Sequence, residues 1–129
     1  MIVDTSAVVA VLKGEDGARE IARLILAEQA RMSAASYVEL MCVLARSAEP
    51  ATGRRGDQLL KALGIEIVPV SVDQAQLAAE AYRAYGRGSG HAAGLNYGDT
   101  FVYALAVSCN EPLLFTGTDF AATDVLVAE

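Results

Sequence analysis

The sequence has no tryptophan, one histidine and only two cysteines among its 129 residues. Cys42 and Cys109 both lie in apolar stretches that predict helices, so we interpret them as small core side chains of a reduced protein. His91 stands alone, and no Cys or His pair has the spacing of a zinc site. The sequence therefore argues against a disulfide scaffold and against a zinc domain.

Long apolar runs are also lacking. No stretch approaches the roughly 18 residues that a membrane-spanning helix needs. The apolar start carries Asp4 and no basic segment, which is not typical of a secretory signal peptide. With 53% hydrophobic residues and no repeat or linker, the chain can bury one core. We therefore expect a single domain over residues 1–129, located in the cytoplasm.

Basic residues are in the minority, since 10 Lys and Arg oppose 16 Asp and Glu for a formal net charge of −6. This balance at first disfavours a nucleic-acid partner. If four of the 16 acids cluster at a metal site, however, 12 remain against the 10 bases, and most of the excess negative charge lies in one place, where bound metal would largely neutralise it. Most of the bases are arginine, which suits bidentate phosphate contacts. Charge alone therefore does not decide the class of function.

Short apolar stretches alternate with amphipathic ones along the chain. The alternation predicts a three-layer α/β/α sandwich around a central parallel sheet of about five strands. Thr5 or Ser6, Asp16 and Asp73 are the expected helix caps. Strands are predicted at 1–4, 31–33, 65–70, 113–116 and 125–127, and helices at 6–13, 17–30, 35–47, within 51–64, 74–86 and 99–109.

Four acidic residues from distant parts of the sequence are expected at one edge of this sheet. Asp4 and Asp119 follow strands, whose carboxyl ends bind ligands in parallel sheets. Asp99 begins an apolar helix, where the helix dipole favours an anion. Glu39 lies among apolar residues of a helix, where a buried carboxylate without a partner is costly. Taken singly, Asp4 and Asp99 are explained equally well as helix caps, and Asp119 could be a turn residue. Glu39 is the most telling of the four, and an exposed side chain is its minority alternative.

Clustered carboxylates repel one another unless a cation lies between them. Oxygen ligands without His or Cys favour Mg²⁺, or Mn²⁺, over softer metals. An ion held in this way activates water and stabilises the charge that develops on a phosphodiester. The four acids therefore indicate metal-dependent phosphodiester hydrolysis.

Hydroxyl and arginine side chains supply further candidates. Ser6 and Thr116 could orient a carboxylate or a metal-bound water, although a helix cap is the more common role. Ser6 has no adjacent His or Lys that would make it a nucleophile. The Gly-rich stretch 86–90 lacks the Lys-Ser/Thr of a phosphate-binding loop, which argues against a nucleotide site. The arginines that could line an RNA groove, rather than being simply solvated, are Arg46, Arg83 and Arg87.

Four stretches together resemble the PIN domain and, more narrowly, the VapC toxins of bacterial toxin–antitoxin pairs. They are MIVDTSAVVAVL at the start, ASYVELMCVL around Glu39, LNYGDTFVYALA at 95–106 and LLFTGTDFAATDV at 113–125. The resemblance covers nearly the whole chain in order and spacing. It departs from the family where many relatives carry a second acid near Asp119, since Gly117 and Thr118 stand here.

The resemblance implies a metal-dependent endoribonuclease that leaves a 5′-phosphate and a 3′-hydroxyl. Its catalytic acids would be Asp4, Glu39, Asp99 and Asp119, with Mg²⁺ on the three Asp residues. The family hydroxyl matches Ser6 or Thr5, and Asp124 is interpreted as structural. The resemblance also implies a homodimer and a VapB-like antitoxin that covers the groove. Two alternatives stay open: a non-catalytic RNA- or protein-binding PIN domain, and a metal-dependent DNA nuclease or phosphatase.

Overall fold

The computed structural model describes all 129 residues and contains a four-stranded parallel sheet in the order β3-β2-β1-β4. The strands are β1 (Ile2–Val3), β2 (Arg31–Ser33), β3 (Glu66–Val68) and β4 (Leu113–Leu114). The helices are α1 (Thr5–Lys13), α2 (Ala18–Ala27), α3 (Ala34–Ala45), α4 (Thr52–Ala62), α5 (Val72–Tyr85) and α6 (Tyr97–Cys109). The predicted α/β class with a parallel sheet is thereby confirmed.

Two apolar cores lie on opposite faces of the sheet, as the alternation of side chains along β1 requires. Val3 points into a core that also contains buried residues of α1 to α4, such as Ile25 and Leu40. Ile2 points into the other core, which α5 and α6 supply with residues such as Val102. Helices therefore cover both faces of the sheet, which gives the three layers that the sequence predicts.

The number of strands differs slightly from the prediction of about five. Residues 125–127 make only one isolated parallel bridge, between Leu113 and Val127, instead of an edge strand. Leu126 and Val127 are 53% and 50% exposed. Because these two side chains bury little apolar surface, the pairing with β4 is limited to the backbone hydrogen bonds of Leu113 with Leu126 and Ala128.

Two predicted helix caps are wrong. Asp16 does not cap α2, whose N-cap residue is Gly17 and which has no side-chain cap hydrogen bond. Asp73 lies in the first turn of α5, and the side chain of Ser71 caps that helix by accepting from the backbone of Gln74. A serine accepts this bond as well as an aspartate does, so the pattern could not distinguish them.

No helix combines the length and the apolar character that crossing a membrane requires.

Candidate active site

Asp4, Glu39, Asp99 and Asp119 line one open pocket of about 430 Å³, which we call the acid pocket. Asp4 directly follows β1, and Asp119 lies a few residues after β4, the strand paired beside β1. Glu39 and Asp99 reach the pocket from α3 and α6. The structure thus brings together the four acids that the sequence pattern singles out, from four separate segments.

Asp4 is the most buried of the four, with 6% of its surface exposed. Its Oδ2 accepts from the backbone N–H of Ser6 at 3.0 Å and so caps α1, which makes Asp4 the cap in place of Thr5 or Ser6. Its Oδ1 is buried without any hydrogen-bond partner. Burial raises the pKa of Asp4 above its usual range, and the nearby charge of Asp119 adds to the shift. An orphaned carboxylate oxygen of this kind suits a ligand that brings positive charge.

Glu39 is half-buried on α3, and burial followed by the charge of Asp4 raises its pKa. Its carboxylate lies against Gly98 in the first turn of α6. A methyl group built onto Gly98 would overlap Glu39 Oε2 and would lie 2.9 Å from Glu39 Cδ. The absence of a side chain at Gly98 therefore lets α6 approach the Glu39 carboxylate. Sequence reasoning missed this role, although a glycine inside a first helical turn is itself a signal of close approach.

Asp99 and Asn96 form a reciprocal capping box at the start of α6. Asn96 Oδ1 accepts from the Asp99 N–H at 2.9 Å, and Asp99 Oδ2 accepts from the Asn96 N–H at 3.0 Å. The helix consequently begins at Tyr97, two residues before the predicted start. Burial raises the pKa of Asp99 to about 6, and the charges of Asp4, Asp119 and Glu39 contribute to the shift. The other three carboxylates are thus close enough to disfavour the ionised form of Asp99.

The candidate hydroxyl side chains differ in their hydrogen-bond partners. Ser6 Oγ accepts from the N–H of Thr116 at 3.1 Å, which ties α1 to the segment after β4 at the edge of the acid pocket. Thr5 Oγ1 donates its only hydrogen to the carbonyl of Ser36 at 3.0 Å, a buried bond between α1 and α3. All three residues, Thr5, Ser6 and Thr116, line the acid pocket, and Thr5 in addition ties α1 to α3, the helix that carries Glu39.

The remaining candidates separate by position. Arg46 lines the acid pocket, but Arg83 and Arg87 are not among its lining residues. Asp124 lies outside the pocket and accepts from the hydroxyl of Tyr103 at 2.7 Å, in keeping with a structural role.

The interpretation of Cys42 as a core residue is wrong, because its side chain is exposed and lines the pocket. Cys42 follows Glu39 by three residues on α3, so both point to the same side of the helix.

No three Asp, Glu, His or Cys side chains of the chain are arranged, as they stand, to hold a metal ion directly. The donor set nevertheless fits a hard divalent cation. It consists of carboxylate oxygens, one of them buried and unpartnered, and the pKa values of Asp4, Glu39 and Asp99 are all raised. Mg²⁺ commonly binds through one or two carboxylates and keeps several waters, which this open pocket accommodates.

The chain is similar to known proteins over nearly its whole length. Residues 1–126 match the PIN domain. The chain is 52% identical over 126 residues to ribonuclease VapC42 of Mycobacterium tuberculosis, covering 97% of this chain and 96% of that protein. This match confirms the family resemblance inferred from the sequence.

Solved structures share the fold. The structure of Mycobacterium tuberculosis VapC20, a toxin that cleaves the sarcin–ricin loop, superposes with a TM-score of 0.77 at 15% identity, covering 98% of this chain and 97% of that one. A chain of a toxin–antitoxin complex from Klebsiella pneumoniae superposes with a TM-score of 0.73 at 21% identity, and the match covers 98% of this chain and 95% of that one. From the sequence match and this shared fold together, we conclude that the chain belongs to the PIN-domain family and, within it, to the VapC ribonucleases.

Proposed function

We propose that this chain is a Mg²⁺-dependent endoribonuclease toxin whose catalytic residues are Asp4, Glu39, Asp99 and Asp119. The observation that carries the proposal is the convergence of these acids in one pocket, with Asp4 Oδ1 buried and unpartnered. The arrangement disfavours folding unless a cation neutralises it, and a site kept at such a cost is typical of function. Mn²⁺ satisfies the same oxygen donors and is the expected substitute.

Each side chain has a distinct task in this proposal. Asp4, Asp99 and Asp119 would hold the ion directly or through water, and Glu39 would complete the cluster and polarise a water molecule. When bound, the ion supplies an activated water and neutralises the negative charge that develops on the phosphodiester. Ser6 is held by the amide of Thr116 and keeps the Asp4 carboxylate oriented. Hydrolysis leaves a 5′-phosphate and a 3′-hydroxyl.

The direct test is cleavage of single-stranded RNA by the purified chain with Mg²⁺, with EDTA, and as the variant Asp99→Asn. We expect cleavage only by the intact chain with Mg²⁺, and a loss of at least about 100-fold in the variant. Asp16→Asn is the matched control, because Asp16 is an exposed acid outside the acid pocket. Equal cleavage under all conditions would defeat the proposal. Cleavage of DNA alone would favour a DNA nuclease.

The proposed partners are RNA, a VapB-like antitoxin and a second copy of the chain, all in the cytoplasm. The structurally similar Klebsiella pneumoniae protein belongs to a toxin–antitoxin complex, which supports an antitoxin here. Exposed apolar side chains on α3, α5 and the start of α6 support a homodimer. They are Val38, Val72, Tyr82 and Tyr97. Light scattering of the purified chain, alone and co-expressed with the product of an adjacent small gene, tests both partners.

A further inference from the structure

The acid pocket continues into a longer groove. Val43 and Arg46 line both the acid pocket and a larger hollow of about 650 Å³ bounded by α1, α3, α4 and the segment joining α3 to α4. Leu12 and Arg55 line both this hollow and a third one, of about 370 Å³, beside α4. Since neighbouring hollows share lining residues, the three form one path that leads away from the carboxylates.

The charge of this path is opposite to that of the acid pocket. Lys13 at the end of α1, Arg46 after α3 and Arg55 on α4 all line the central hollow, and all three are exposed. Glu49 is its only acid. The Glu49 carboxylate lies 3.5 Å from the guanidinium of Arg55, with both side chains more than half exposed, so the pair is loose and open to exchange. We call the surface defined by Lys13, Arg46 and Arg55 the cationic groove.

A neutral donor lies among these charges. Ser47 Oγ accepts from the N–H of Glu49 at 3.2 Å and from the hydroxyl of Thr52 at 3.1 Å. Both bonds fix the segment between α3 and α4. Because the two hydroxyls share a single hydrogen bond, one hydroxyl hydrogen of the Ser47 and Thr52 pair stays available to a ligand beside Arg46. Cations accompanied by a fixed hydroxyl donor are the usual partners of phosphate oxygens.

We propose that the cationic groove binds the RNA backbone on one side of the cleavage point. Arg46, which borders both hollows, holds the phosphate next to the scissile one, and Ser47, Lys13 and Arg55 contact the phosphates beyond it. The proposal rests on the ribonuclease function proposed above. RNA is favoured over an acidic protein segment because the groove is continuous with the acids, where the scissile phosphate must lie. Such contacts position the strand without reading its bases.

The test measures binding of fluorescein-labelled single-stranded RNAs of mixed sequence, about 4, 8 and 12 nucleotides long, to the cleavage-deficient Asp99→Asn chain. Lys13→Gln, Arg46→Gln and Arg55→Gln are each added to this background. We expect each to weaken binding of the longest RNA by about 5- to 10-fold and to lower the salt slope by about 1 per lost phosphate contact. The unaltered groove should bind longer RNAs more tightly than short ones, and this increase in affinity with length should be smaller in each groove variant. Arg46→Lys should restore part of the binding, because it keeps the charge.

Arg23→Gln is the matched control, since Arg23 is an exposed arginine on α2, paired with Glu20 and outside the groove. Groove variants that bind RNA with the affinity and salt slope of this control would overturn the proposal, even if the unaltered chain cleaves RNA. Groove variants that keep RNA binding but no longer bind the antitoxin would also overturn it, in favour of a protein ligand. Failure of the unaltered chain to cleave RNA would instead overturn the ribonuclease function, which is measured separately.

Discussion

At the scale of single residues, Asp4 carries two roles that sequence reasoning treats as alternatives. One oxygen caps α1 and the other is unpartnered in the acid pocket. Two substitutions of Asp4 distinguish its capping role from its role in the acid pocket. Alanine removes both the cap, worth about 1 kcal/mol, and the charge. Asparagine keeps an acceptor for the Ser6 N–H and removes only the charge, so it is the informative variant at this position.

The raised pKa of Asp99 makes the stability of the metal-free chain depend on pH. Its pKa is about 6 when folded, against a usual value of 3.8. Between these values the folded chain binds more protons than the unfolded chain, so the free energy of unfolding decreases as pH rises through this window. The raised pKa values of Asp4 and Glu39 act in the same direction. Metal binding needs the carboxylates ionised and should strengthen over the same range.

We therefore expect chemical denaturation in EDTA to give a lower free energy of unfolding for the unaltered chain at about pH 7 than at about pH 5. Asp99→Asn cannot titrate at this position, so its stability should change less between the two pH values. Asp16→Asn should behave as the unaltered chain does. An identical pH dependence for the Asp99→Asn and Asp16→Asn chains would contradict the coupling of Asp99 to its neighbours.

At the scale of elements, the site depends on how closely α6 approaches α3. Gly98 permits that approach by leaving room for the Glu39 carboxylate. Replacing Gly98 with alanine should displace the Glu39 carboxylate and reduce RNA cleavage by at least about 10-fold. Little stability should be lost, because the displaced atoms are the end of a flexible side chain. Activity assays and thermal melting of the purified variant measure both effects.

Gly53 on α4 is the matched control, because a methyl group there meets no atom within 4 Å. Gly53→Ala should keep activity and gain up to about 1 kcal/mol from helix propensity. If Gly98→Ala behaved in the same way, Glu39 would not need the close approach of α6, and its place in the catalytic cluster would be in doubt.

Sequence patterns predict those elements whose signals are local. An apolar strand followed by an acid, as at Asp4, is readable because neighbours in sequence make the structure. The Asn-x-x-Asp pair at the start of α6 is equally local, but the prediction missed it and began the helix at Asp99. The exposed side chain of Cys42 was not readable, because an apolar stretch does not say which side of a helix is covered. The lost edge strand at 125–127 likewise depends on how much surface the rest of the chain leaves to bury against.

At the scale of the whole molecule, net charge conceals a separation of charge. The chain has a formal net charge of −6, yet four acids share one pocket and three cations line the groove that continues from it. A sequence fixes the number of charges but not their neighbours, and only the parallel sheet brings the ends of β1 and β4 together with α3 and α6. The acid pocket is therefore a property of the fold and not of any one segment.

The central claim is that one divalent ion relieves the repulsion among these acids, and metal-dependent melting tests it most directly. The melting temperature is measured at about pH 7.5 in EDTA and with saturating Mg²⁺ or Mn²⁺, for the unaltered chain, Asp4→Asn, Asp99→Asn and the control Asp16→Asn. Binding at 100 times the dissociation constant adds about 2.7 kcal/mol, which raises the melting temperature by about 5–10 °C. We expect this rise in the unaltered chain and the control. The two pocket variants should melt no lower than the unaltered chain in EDTA and should not respond to metal. An equal response in all four proteins, or pocket variants that are less stable in EDTA, would contradict the account.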